Sequence, residues 1–152
     1  MITTKSRKEI FSEVEGILKH YNDYKTGIKN MKQQLNFIMP GITANYELVE
    51  GSVGTFAITS KTEKYAIDRI ESKKALDLHE QIEEYEIKIR SIDNAVSGLK
   101  DLEKEFVRLR YFQGLTVEKV AQEMGYSRRS MYHVRLEVLE KLAISLRGFI
   151  EQ

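Results

Sequence analysis

Apolar residues recur every seven positions near the start of the chain, at Ile10, Ile17, Tyr24, Met31 and Ile38, with Phe11, Val14, Leu18, Tyr21, Ile28 and Leu35 on the same face. That spacing keeps one stripe of a helix apolar, so it predicts a helix over about 6–38. Gly16 and Gly27 weaken it by about 1 kcal/mol each relative to alanine, and Met39, Pro40 and Gly41 end it. From Ala75 the apolar positions alternate steps of three and four: Ala75, Leu78, Ile82, Tyr85, Ile89, Ile92, Val96 and Leu99. This is a coiled-coil seam of about three heptads, on a helix predicted over about 62–98. Thr62 or Ser60 is a suitable N-cap for it, with Glu63 in its first turn. Glu80, Glu83, Glu84, Glu86, Lys88 and Arg90 flank the seam and read as a solvated face rather than a catalytic pair. The two seams can pair as an antiparallel hairpin or with another subunit, and the pattern does not separate these cases. A plain core stripe with no binding role is the default for either.

The insert 39–61 holds Gly51, Gly54 and the alternating pairs Tyr46/Leu48 and Phe56/Ile58. A short β-hairpin is compatible with that pattern, and an ordered loop fits it better. Gly51 to Gly54 has neither a Lys-Ser/Thr after it nor a buried strand before it, so it is not a phosphate-binding loop.

Residues 101–114 predict a third helix with Phe106, Leu109 and Phe112 inward and Gly114 as its end. The stretch Leu115-Thr-Val-Glu-Lys-Val-Ala-Gln-Glu-Met-Gly-Tyr-Ser-Arg-Arg-Ser-Met-Tyr-His-Val-Arg-Leu136 then reads as helix, glycine turn, helix. Thr116 caps the first of these, whose inward residues are Val120 and Met124, and Ala121 lets two backbones cross closely. Gly125 supplies the left-handed turn, Tyr126 packs beneath it, and Ser127 caps a second helix with Met131 and Val134 inward. This is the pattern of a DNA-binding helix-turn-helix, and a plain helical hairpin in a bundle is the bland alternative. The expected fold is all-α: a long helical hairpin or coiled coil (residues 1–99) followed by a three-helix helix-turn-helix unit (residues 100–152).

Composition narrows the function classes. The chain has 152 residues, of which 31% are charged, and no cysteine, which excludes disulfides and thiolate metal sites. Its opening residues lack the apolar run of a signal peptide, and no stretch approaches the roughly 18 apolar residues of a membrane span. A cytoplasmic location without membrane contact is the expectation. With 24 basic and 23 acidic residues the net charge is only +1, too little for a nonspecific nucleic-acid coat. The basic residues are concentrated locally instead: Arg128, Arg129, His133 and Arg135 lie between Gly125 and Leu136 with no acid among them. No His/Asp/Glu group has metal-ligand spacing, no nucleophile arrangement is visible, and no cofactor or enzymatic activity is expected. His20 and His79 stand alone on charged helices and read as surface residues.

Residues 105–142 resemble region four of bacterial sigma factors, which reads the promoter −35 element. The resemblance rests on Arg108-Leu-Arg-Tyr-Phe112, Gly114-Leu-Thr116, Glu118, Val120-Ala121, the Gly125 turn, Ser127-Arg128 and the closing Leu139-Glu-Lys-Leu142. The roughly one hundred residues before it hold no aromatic-basic helix of the kind that melts the −10 element. With Pro40-Gly41 and the insert, the whole chain is similar to small phage transcriptional regulators of the ArpU/RinA type. That resemblance implies activation of phage or prophage late genes in a bacterial host cell.

On double-stranded DNA the second helix of the motif would lie in the major groove. Residues 128, 129, 132, 133 and 136 share its outward face. The sigma resemblance places Arg128, Arg129, Tyr132 and His133 at base-reading positions. His133 stands where these factors commonly carry Gln and Arg129 where they commonly carry Glu, which implies a site unlike the ordinary −35 sequence. Arginine suits bidentate contact with guanine O6/N7. The alternative for Arg128 and Arg129 is solvated charge, and for Tyr132 it is packing on the third helix. Ser127, Ser130 and Arg135 are placed for phosphate, as are Thr116, Val117 and Lys119 at an amide-rich helix N-terminus. One such motif gives modest affinity, so a homo-oligomer through the long helices or a contact with RNA polymerase is expected. Two other readings compete: a phage small terminase subunit, which typically carries its DNA-binding unit first rather than last, and a sigma-like scaffold that binds protein.

Overall fold

The structure, a computed structural model, describes residues 4–38 and 61–150, and of residues 61–69 the backbone alone. Every regular element among them is helical, so the fold is all-α. In chain order these are α1 (Arg7–Lys19), α2 (Tyr21–Ile38), α3 (Lys61–Ser97), α4 (Asp101–Val107), a π-helical turn (Arg108–Phe112), α5 (Val117–Met124), α6 (Arg128–Ser145) and a 3-10 turn (Arg147–Phe149). Residues 39–60 of the insert, and Ser60 as a cap, lie outside the described residues. Since α3 opens at Lys61, Thr62 sits inside its first turn rather than ahead of it.

The helix expected over 6–38 is two helices. Ser6 and Glu9 form a reciprocal capping box at the start of α1, the Ser6 hydroxyl accepting from the Glu9 N–H and the Glu9 carboxylate from the Ser6 N–H. His20, at φ −88° and ψ 4°, leaves the helical well between α1 and α2. Its ring is exposed and lies 3.0 Å from the Asp23 carboxylate, which also sits favourably in the first turn of α2. The apolar period runs on through the break, which is why the pattern does not reveal it.

Contacts divide the chain into two compact units, residues 25–86 and residues 1–24 with 87–152. These units cut across the division at residue 99 expected from the sequence. In the unit 25–86, α2 and α3 pair within the chain. Lys32 meets Glu86 at 3.1 Å, Ala75 and Ile82 are buried, and the Tyr85 ring lies where Gly27 has no side chain.

In the other unit α1 shares one core with the C-terminal helices. Val14 and Leu18 of α1 and Ile92 of α3 are fully buried, as are Phe106, Val120, Met131, Val138, Leu139 and Leu142. Each large aliphatic or aromatic side chain so buried contributes roughly 1.5–3 kcal/mol. Tyr21 donates to Asp93 at 2.6 Å and the Lys88 ammonium lies 5.2 Å from the Tyr24 ring, so the start of α2 runs antiparallel to the end of α3.

The third helix is not α-helical to its end. The Gln113 N–H bonds to the Arg108 carbonyl at 2.9 Å, five residues back, and the Leu115 N–H reaches the Leu109 carbonyl at 3.1 Å. This wider turn directs both Leu109 and Tyr111 inward, with Phe112 partly buried and stacked on Tyr21 at 4.3 Å. Tyr111 is therefore a core residue that the α-helical period passes over. Gly114 ends the turn at φ +75°, where a side chain is disfavoured.

Two carboxylates are held inside this unit. Glu103, 2% exposed, accepts from the Lys100 N–H at 3.0 Å and from Lys141 Nζ at 2.7 and 2.9 Å. Glu15 of α1 accepts from Arg135 Nη2 at 2.6 Å and from the Tyr111 hydroxyl at 2.8 Å. Burial works to raise both pKa values, and the cationic and hydrogen-bonding partners outweigh it, so both carboxyls sit below their ordinary value. Burial and the Glu15 charge push the Tyr111 hydroxyl up.

Candidate nucleic-acid interface

The helix-turn-helix forms from the residues that encode it. The Thr116 hydroxyl accepts from the Lys119 N–H at 3.3 Å and caps α5. Val117, Val120 and Ala121 are buried, and Met124 is partly so. Gly125 takes φ +73°, its N–H bonding to the Gln122 carbonyl and the Tyr126 N–H to the Ala121 carbonyl at 3.0 Å. That double closure is a Schellman motif, and it reverses the chain in three residues. The Ser127 hydroxyl then accepts from the Ser130 N–H at 3.1 Å and starts α6. Tyr126 corrects one expectation. It is half exposed, so its ring is not enclosed beneath the turn, and its backbone N–H closes the motif instead.

α6 divides cleanly into two faces. Met131, Val134, Val138, Leu139 and Leu142 are buried, whereas Arg128, Arg129, Ser130, Tyr132, His133 and Leu136 are exposed. The four residues assigned to base reading therefore share one exposed surface at the N-terminal end of α6. The side chains of Arg129 and His133 have no hydrogen bond or ion pair among the described residues. Thr116 and Lys119 are exposed at the N-terminal end of α5. Val117 contributes only its backbone there, since its side chain is in the core. The Ser127 and Ser130 hydroxyls are bonded to each other at 2.8 Å.

Arg135 stands apart from these. It projects toward α1, where its guanidinium grips Glu15 with Nη2 at 2.6 Å and Nε at 3.4 Å. The hydrogen bond and charge of Glu15 outweigh burial and hold the guanidinium pKa above its ordinary value. The group serves a structural ion pair that fixes the rear of α6, and no spacing within the motif signals it, because Glu15 lies 120 residues earlier.

One residue on this surface is absent from the sequence assignment. Glu118, in the first turn of α5, faces Arg128 and Tyr132 across the turn. Its Oε1 forms an ion pair with Arg128 Nη2 at 3.1 Å and accepts a hydrogen bond from the Tyr132 hydroxyl at 3.2 Å, while the Arg128 guanidinium lies 5.5 Å from the Tyr132 ring centroid. Tyr132 is thus turned toward α5. A hydrogen bond from its own backbone N–H, with further help from the Tyr132 hydroxyl and the charges of Arg128 and Arg110, outweighs the opposing effect of burial and holds Glu118 below the ordinary carboxylate value. The sequence signal was the Thr-x-Glu at the helix start, which also has a complete explanation as a favourable first-turn charge.

Among the described residues no group of three or more His, Cys, Asp or Glu could hold a metal ion, and no helix is long and apolar enough to cross a membrane. Residues 95–130, about a quarter of the chain, match the family model for Sigma-70, region 4. The match takes in the end of α3, α4, the π-helical turn, α5 and the first turn of α6, so Arg128 and Arg129 lie inside it and Tyr132 and His133 beyond it. No curated protein and no solved structure matches the chain.

Proposed function

We propose that this chain is a sequence-specific DNA-binding transcription regulator that reads promoter DNA with the exposed N-terminal part of α6. The observation that carries this reading is the separation of faces on α6. The core takes Met131, Val134 and Val138, leaving Arg128, Arg129, Tyr132 and His133 together on one exposed surface outside it. A helix presented in this way by a helix-turn-helix enters the major groove with its first turns at the base edges. Arg128 and Arg129 supply bidentate guanine contacts worth roughly 1–3 kcal/mol of discrimination each. Lys119, the Thr116, Ser127 and Ser130 hydroxyls and the backbone at Val117 hold phosphates, positioning the helix without reading sequence. Arg135, spent on Glu15, takes no part.

The setting we propose is late-gene activation in a phage or prophage, supported by the likeness of the whole chain to regulators of the ArpU/RinA type. One helix-turn-helix buries little surface, so a second contact, with RNA polymerase or with another copy of the chain, completes the complex. Ala75 and Ile82 of the α3 seam are buried within the chain, whereas Met31, Leu35 and Leu78 keep part of their surface open, so the long helices are the candidate for that contact.

Selection of bound duplexes from a random-sequence library tests the reading. Enrichment of a guanine-containing motif, lost with Arg128→Ala/Arg129→Ala, is the expected outcome. A palindromic motif identifies a symmetric dimer, and one asymmetric site beside a −10 element identifies sigma-like action. No enrichment at all overturns the proposal.

A further inference from the structure

The charge pattern of α6 alone describes a uniformly positive reading surface, but folding places a carboxylate in the middle of it. Glu118 favours the first turn of α5 through its charge and its own N–H, but it is neither the cap nor part of the core. It is nearly half exposed, the α5 cap is supplied by Thr116, and its two side-chain partners both come from the reading face. A carboxylate at the mouth of a phosphate-binding surface opposes association with DNA of any sequence, so its position calls for a compensating role.

We infer that Glu118 is a positioning residue that converts general attraction for DNA into sequence discrimination by holding Arg128 and Tyr132 on one carboxylate oxygen. The inference rests on the DNA-reading function proposed above. A free arginine at the tip of a recognition helix swings to whichever phosphate is nearest, and such contacts strengthen binding to every sequence equally. Arg128, paired with the carboxylate through Nη2 at 3.1 Å and with its guanidinium 5.5 Å from the Tyr132 ring centroid, loses that freedom. A guanidinium has five N–H donors in a rigid fork, and each terminal nitrogen carries two of them. The Glu118 contact is an ion pair rather than a directed hydrogen bond, so the N–H groups of Nη1 and Nη2 stay available for a guanine edge. Tyr132, tied by its hydroxyl at 3.2 Å to the same oxygen, walls the arginine in from the side. Phosphate contact meets the Glu118 charge, whereas a neutral base edge does not. Wrong sequences therefore bind more weakly, and the correct one keeps its full set of hydrogen bonds.

The test compares two probes, a duplex enriched by the wild-type chain from a random library and a shuffled duplex of equal composition. Glu118→Gln keeps the shape and the hydrogen-bonding oxygen and removes the charge. Expected are tighter binding to the shuffled duplex by about three- to ten-fold at low salt, a steeper fall of affinity with salt, and a correspondingly smaller ratio between the two probes. Tyr132→Phe, which keeps the ring, shifts the ratio in the same direction by less. In an Arg128→Ala background the effect of Glu118→Gln on the ratio disappears. A ratio unchanged in Glu118→Gln, with melting temperature also unchanged, overturns the inference. So does a change that persists in full without Arg128, because Glu118 would then act on phosphate by itself. A wild-type chain that binds neither probe overturns the function and this inference together. A wild-type chain that discriminates while Glu118→Gln matches it overturns this inference alone.

Discussion

Two carboxylates, Glu15 and Glu103, tie distant parts of one unit together, and each is held ionised by a cation across a helix packing interface. Because their pKa values are lowered in the folded chain, their stabilisation is complete above the ordinary glutamate value of 4.5 and is lost as pH falls from there through the lowered folded values. Thermal melts taken from pH 7 down to pH 3 should show a plateau and then a decline that begins below about pH 5. Glu103→Ala strands the Lys141 ammonium and the Lys100 N–H and should cost about 1–3 kcal/mol in urea unfolding. Arg135→Ala should cost a similar amount, for the same reason at Glu15. If Arg135 is the rear anchor of α6, that variant leaves the salt dependence of DNA binding unchanged, whereas Lys119→Ala reduces its slope by about one. At this scale the sequence shows which side chains α6 exposes, since burial follows the 3.6-residue period. It does not show that Glu15 captures Arg135 or that Glu118 meets Arg128, because those encounters depend on packing between segments far apart in the chain or across a turn.

The elements themselves were largely legible. Ser6, Thr116 and Ser127 start helices and Gly114 and Gly125 end them, each for a local reason of hydrogen bonding or backbone conformation. What escaped the pattern is the break at His20 and the π-helical turn at Arg108–Phe112, where the apolar spacing still satisfies an ordinary helix. Gly125→Ala forces a β-carbon into the left-handed region and should cost about 1–2 kcal/mol, with a matching loss of DNA binding only near the melting temperature. The two glycines of the first helical stretch should behave oppositely. A β-carbon on Gly16 would meet nothing within 4 Å, so Gly16→Ala should stabilise by about 0.5–1 kcal/mol in denaturant unfolding. A β-carbon on Gly27 would approach Tyr85 Cε2 to 3.0 Å, so Gly27→Ala should lose that gain to displacement of the ring.

For the molecule as a whole, the unit that holds the reading helix is not a C-terminal block of sequence. α1 gives it Val14 and Leu18, both fully buried, and Glu15 for Arg135 and Tyr111. A fragment of residues 100–152 lacks these and the end of α3, and should unfold at lower temperature and less cooperatively than the intact chain by circular dichroism. Leu18→Ala in the full chain should cost about 2–5 kcal/mol, a large effect on the reading unit from a residue more than one hundred positions away. The sequence separated α1 from this unit because its heptads continue into α2 without a visible boundary.

The two faces of α6 share no residue. Selection for a stable fold therefore acts on Met131, Val134, Val138, Leu139 and Leu142, and selection for a DNA target acts on Arg128, Arg129, Tyr132 and His133. Lineages descended from such a chain can drift from one operator to another through a handful of codons while their melting behaviour is inherited unchanged. The same independence makes the helix a scaffold on which new targets can be written by exchanging those four positions, with Glu118 exchanged alongside them wherever the residue at 128 is no longer an arginine.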